Sequence, residues 1–127
     1  MTADRYTPLS SAPEAMTVLL VERDILIRIA VANYLRECGL LVIEAVSPDE
    51  AKDVLRSNVR VNAAMISLAA AEAFALTQWG RAQRPHARFV IVPTLQRLAQ
   101  EAHRLCGARQ RPHHRYQLEQ RLRRLRS

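Results

Sequence analysis

Four short apolar runs, each followed by a stretch with helical spacing, set the strongest limit on what this chain can become. Val18–Val21 is a continuous apolar strand, Leu40–Val46 and "NAAMISL" at 62–68 read as the second and third, and "RFVIV" at 88–92 as a fourth, fully apolar one. Continuous runs of this kind belong to a parallel sheet covered on both faces. Between them lie helical stripes. Ile27, Val31, Tyr34, Leu35 and Cys38 recur at i, i+4, i+7, i+8 and i+11, and Gly39 stands where a left-handed cap belongs. "SPDE" at 47–50 reads as a capping box, with Pro48 at the first helical position and Ala51, Val54 and Leu55 inward. Residues 70–83 read as a helix anchored by Phe74, Leu76 and Trp79. Leu95, Leu98, Ala99, Ala102 and Cys106 form another stripe, closed by Gly107. A weak fifth strand is expected near 108–111, where "ARQR" offers little to bury, and a last helix over 114–126 with Leu118, Leu122 and Leu125 inward.

Strict strand–helix alternation predicts an α/β domain with a parallel sheet and helices on both faces. Its 127 residues, nearly half of them apolar, suit one domain: a lead-in over 1–15 and a folded unit over 16–127. The N-terminus has neither the basic start nor the long apolar core of a signal peptide, and no run is long enough to span a bilayer. Cys38 and Cys106 stand far apart and outside any metal-ligand spacing, so reduced thiols in a cytoplasmic protein are expected.

In a sheet of this kind the site lies beyond the C-terminal ends of the strands. Glu22, Arg23 and Asp24 after the first strand, Ser67 at the end of the third, and Pro93–Thr94 after the fourth should converge there. Charge is divided along the chain. Residues 1–80 carry 7 Lys/Arg and 10 Asp/Glu, a net −3, whereas residues 81–127 carry 12 Arg and 2 Glu, a net +10. An anionic or acidic partner for the last third follows from that asymmetry.

Residues 16 to 126 resemble the receiver domain of two-component response regulators, the CheY-like family. The likeness is carried by "VLLVERDILIRIAVANYLRECGLLVIEAVSPDEAKDVLRS" in the first half, and by "FALTQWGRAQRP", "EAHRLCG" and "RPHHRYQLEQRLRRL" in the second. It implies a five-stranded parallel sheet flanked by helices, the flavodoxin-like (βα)5 receiver fold. It also implies a chemistry: a histidine kinase passes a phosphoryl group to an aspartate after strand three, assisted by Mg²⁺ on an acid pair after strand one. A Ser/Thr and a Lys then sense the phosphoryl group.

Position by position the resemblance departs from that chemistry. The acid pair falls on Glu22 and Arg23, and an arginine cannot ligate Mg²⁺. The phosphoacceptor falls on Ser67, aligned through Asn62 five residues upstream. The Ser/Thr position falls on Val92 or Thr94, and the Lys-Pro signature on Arg111-Pro112. The expectation is therefore a receiver not phosphorylated on aspartate, with no enzymatic activity and no cofactor. Arg23, paired with Glu22 or Asp24, would stand in for the metal or be drift at a silent site. No output domain follows residue 127, so a stand-alone module is expected. It would act on a protein partner such as a histidine kinase or a second regulator, as a homodimer.

The family's partner face, made by helix four, strand five and helix five, would here present Arg97, Arg104, Arg109, Arg111, Arg115 and Arg121. A nucleic-acid partner for the arginines and Tyr116 of this third is the alternative. His86, His103, His113 and His114 show no metal-ligand spacing and read as surface residues.

Overall fold

The computed structural model describes residues 16–107 and 114–126, with side chains in the last helix from Gln117 onward. The elements are β1 (Thr17–Glu22), α1 (Ile25–Glu37), β2 (Leu41–Ala45), α2 (Pro48–Arg56), β3 (Ala63–Ser67), α3 (Ala70–Gln83), β4 (Arg88–Ile91), α4 (Leu95–Cys106) and α5 (His114–Arg126). All strand pairs are parallel, in the order β2-β1-β3-β4. Among the described residues the sheet has four strands, not the expected five; the weak strand near 108–111 lies outside them.

Alternation along β1 builds two cores, as a pleated strand requires. Val18 and Leu20 face one side with Met65, α1, α4 and α5, while Leu19 and Val21 face the other with Ile66, α2 and α3. Val18 to Val21 are all fully buried, which is why that run carries no polar position. Gly39 closes α1 with φ 89°. The Leu40 N–H there returns to the Leu35 carbonyl and the Gly39 N–H to that of Arg36, the two bonds of a glycine-stopped helix. Ser47 caps α2 by accepting from the Glu50 N–H at 3.2 Å, as its sequence foretells.

Phe74 is not an anchor of α3: it is 59% exposed. The buried face is Ala73, Leu76, Thr77 and Gly80, and Phe74 is turned about 100° from Ala73. The aromatic ring comes instead from the sheet. Phe89 of β4 fills the space above Gly80, where an added Cβ would stand 2.5 Å from the ring. Trp79 lies on the other flank, with the Lys52 ammonium 5.5 Å and the Arg56 guanidinium 5.1 Å from its ring centre.

The cysteines correct another expectation. Cys38 and Cys106 form a disulfide, with Cα atoms 5.5 Å apart across 68 residues of chain. Sequence distance concealed the contact because α1 and α4 end side by side. α4 packs on the α1 face of the sheet. A right-handed crossover from β4 to a fifth strand beyond it would put that helix on the α2–α3 face instead. α5 then packs on α1 and α4 and, among the described residues, not on the sheet. It is a third layer on that side. Gln117 and Arg121 line a cleft with Tyr34 and Glu37 near the end of α1, whereas Arg126 reaches the opposite end, beside Glu22. α5 therefore runs in the strand direction.

β2 is an edge strand. Leu41 donates toward β1, so Val42 and Glu44 direct their backbone groups outward. Arg36 donates to the Val42 carbonyl at 3.0 Å and to the Glu44 carboxylate at 3.1 Å. Arg28 holds the other Glu44 oxygen at 3.0 Å.

Candidate functional site

The C-terminal ends of β1, β3 and β4 open into a cleft of about 260 Å³ lined by Glu22, Arg23, Ser67, Leu68, Ala69, Val92, Pro93 and Arg126. Glu22 ends β1 and Ser67 ends β3, and the two residues are directly paired across the sheet. At such a pair side chains on one face meet. The Ser67 hydroxyl donates to Glu22 Oε1 at 2.5 Å, and the Asp24 N–H donates to Oε2 at 2.9 Å. Glu22 is 5% exposed. A buried carboxylate needs such donors, and here each oxygen has one from the chain itself.

Arg23 points elsewhere. Its guanidinium makes a bidentate pair with Glu72 in the first turn of α3, at 2.5 and 2.8 Å. It does not pair with Glu22 or Asp24, as the sequence had led one to expect. The pair raises the arginine pKa and lowers that of Glu72, in both cases first through the hydrogen bonds. Both groups stay in contact with solvent, so the pair ties the β1–α1 loop to α3 more than it stabilises the fold.

Asp24 and Thr94 are caps. Asp24 Oδ1 accepts from the N–H groups of Leu26 and Ile27 at 2.9 and 3.1 Å, and Thr94 Oγ1 from that of Arg97 at 3.1 Å. Both supply acceptors to N–H donors that have none within their helices, and neither lines the cleft. At the Ser/Thr position it is Val92, buried and without a hydroxyl, that borders it. Arg109 and Arg111 lie outside the described residues, as does the side chain of Arg115.

Arg126 is the member that sequence reasoning missed. Nothing in its spacing marks it. It reaches the cleft because α5 runs toward the strand ends, a consequence of α4 lying on the α1 face. Among the described residues there is no cluster of three or more His, Cys, Asp or Glu side chains able to hold a metal ion.

No family model matches the sequence, and neither does any curated protein. Solved structures do match. A CheY-like response regulator receiver domain protein from Methanospirillum hungatei JF-1 superposes with TM-score 0.57 at 22% identity, over 70% of this chain and 76% of that one. The chain has a CheY-like receiver fold. A response regulator from Thermotoga maritima matches this chain with TM-score 0.58 at 20% identity, covering 90% of this chain and all of the other. The non-phosphorylated receiver domain of HemR from Leptospira biflexa gives 0.56 at 22% identity, over 88% and 94%. The likeness is one of fold, and the cleft described above lies beyond the carboxyl ends of the strands, where open α/β sheets bind ligands.

The metal of that fold does not suit these residues. Of the two acids expected after β1, one is an arginine engaged by Glu72, and the other already has both oxygens bonded within the chain. Mg²⁺ demands near-octahedral oxygen ligation, and the Ser67 hydroxyl, directed at Glu22, offers no second carboxylate.

Proposed function

We propose that this chain is a receiver-fold module of two-component signalling that works by protein contact and carries no aspartyl phosphate. The observation behind this reading is the closed Glu22–Ser67–Asp24 arrangement. Where a receiver needs a carboxylate nucleophile, this chain has a hydroxyl. Where it needs metal ligands, it has a glutamate already hydrogen-bonded at both oxygens and a cation. The module performs no reaction of its own and binds no Mg²⁺.

Its partner is a histidine kinase or another response regulator. The contact surface begins directly after the cleft. Ile25, Leu26 and Ile29, in the first turns of α1, are 57%, 54% and 43% exposed. Contiguous exposed apolar side chains of this kind are what a protein contact covers. A homodimer through the same patch is part of the proposal.

Two experiments test it. Incubation with acetyl phosphate and Mg²⁺, read by intact mass, should leave the mass unchanged; a hydroxylamine-labile gain of about 80 Da, one phosphoryl group, would overturn the reading. A pull-down should retain an identified kinase or response regulator with the wild-type chain and lose it with Ile25→Glu/Ile29→Glu. Retention by the variant would move the contact off α1.

A further inference from the structure

The outermost helix has no seat on the sheet. Among the described residues α5 packs on α1 and α4 alone. Leu118 and Leu122 are buried there, with Leu125 packed beside them, and these leucines are the apolar grip of the described part of the helix. Local opening costs least where few apolar contacts must break, so α5 belongs to the part of the fold that opens first.

The two helices that form its seat are joined at one point. Cys38 follows the last residue of α1, Cys106 is the last residue of α4, and the two are bonded. They are the only cysteines of the chain. Both lie in the buried cluster that holds Leu118 and Leu122. Leu118 also lines a cleft with Glu37, the neighbour of Cys38. The bridge therefore lies at the end of the seat that receives the start of α5.

This position decides what the bond controls. While it is closed, the end of α4 cannot leave α1, and α4 and α5 cannot open together. Once it is broken, packing alone resists that opening. The far end of the same unit reaches the cleft. α5 is about 20 Å long and carries Arg126 to the wall that also holds Glu22 and Ser67. When α5 lifts, that wall goes with it. A chemical event at the end of α1 thus alters the mouth at the opposite end of the sheet.

We propose that the Cys38–Cys106 bridge is a redox switch that sets whether the α4–α5 unit stays closed over α1. This goes beyond the signalling reading and does not depend on it. The step is thiol–disulfide exchange with a dithiol reductant. One thiolate of the dithiol attacks a bridge sulfur, and the other bridge sulfur leaves as a thiolate and takes a proton. The second thiolate of the reductant then attacks the mixed disulfide and frees the remaining cysteine. The dithiol ends as a disulfide, having given two electrons and two protons to the bridge. Cys38 is 5% exposed and Cys106 1%, so exchange runs through the same local opening that it afterwards favours.

The test compares the full chain with its bridge closed and after dithiothreitol, by hydrogen exchange read on peptide fragments. Reduction should speed exchange in α4 and α5 at least about 10-fold more than in β1 and β3, and reoxidation should restore the protection. Trypsin should cut the reduced chain at Arg121, Arg123 and Arg124 while sparing these sites in the oxidised chain. Cys38→Ala/Cys106→Ala should match the reduced chain and ignore dithiothreitol. An equal rise of exchange in every element overturns the proposal and leaves the bridge as a structural cross-link. Unchanged exchange overturns it too, as does failure of dithiothreitol to release both thiols without denaturant. Should circular dichroism show that the alanine variant is unfolded, the fall and return of protection in the wild-type chain decides alone.

Discussion

Ser67 and Glu22 end adjacent strands in register, and the serine hydroxyl is bonded to the glutamate carboxylate at 2.5 Å. Removing that hydroxyl leaves a buried oxygen without its donor. Ser67→Ala should therefore destabilise the chain by about 1–3 kcal/mol, read from the urea midpoint. Restoring acids tests the other side of the relationship. In Arg23→Asp/Ser67→Asp three carboxylates crowd one cleft, and Mg²⁺ relieves their repulsion. The thermal midpoint of this variant should rise with added Mg²⁺, while that of the wild-type chain stays flat. Equal response in both would show that the wild-type cleft takes the ion.

Glu72 should titrate below the ordinary glutamate value of about 4.3, because the Arg23 guanidinium bonds its charged form. Its folded pKa is the lowered one. The contribution to stability is thus present above the unfolded value and lost as pH falls through the folded one. Both groups are solvent-exposed, so salt should weaken the effect. Carboxyl chemical shifts followed against pH check this, and Arg23→Ala should return Glu72 to its usual range.

The Cys38–Cys106 bridge closes 68 residues of chain. By loop-closure entropy a cross-link of that span contributes about 4 kcal/mol. Cys38→Ser/Cys106→Ser should lower the denaturant midpoint and steepen the transition, because the unfolded chain without the cross-link exposes more surface. Thiol titration of the unfolded, unreduced protein should find no reactive sulfhydryl. Two free thiols there would exclude the bond.

Gly80→Ala puts a methyl 2.5 Å from the Phe89 ring. Overpacking of this kind costs about 1–3 kcal/mol. Phe89→Leu makes room and should recover part of the loss, so a double-mutant cycle should show coupling between the two positions. Additive losses would mean that the ring had moved aside freely.

How much of this was legible in the sequence depends on the kind of signal. Elements were, because the apolar runs and stripes report burial directly: α3 and α5 lie where their spacing puts them, and β1 is buried at each position of its run. The site was legible as a neighbourhood. Strand ends in a parallel sheet must converge, so Glu22, Arg23, Ser67 and Pro93 do line one cleft. Partners were not legible. Arg23 could reach an acid on either side of it in sequence, and only the placement of α3 decides for Glu72. Phe74 was misread because a helix buries one side, and small residues with Gly80 took that side so that Phe89 could enter. The disulfide and Arg126 share one cause. Both follow from α4 lying on the α1 face, and no local pattern encodes which face a helix chooses.

Arg36 closes the outward-facing carbonyl of Val42 and, with Arg28, pins Glu44 on the same strand. An open strand edge is a template on which further strands can add. Here it runs beside exposed Leu41 and Val59, a combination that invites self-association into extended sheets. A guanidinium laid over the edge withdraws one acceptor from such growth and surrounds the rest with charge. Two arginines on α1 thus work against the edge-to-edge addition of one copy of this chain to another.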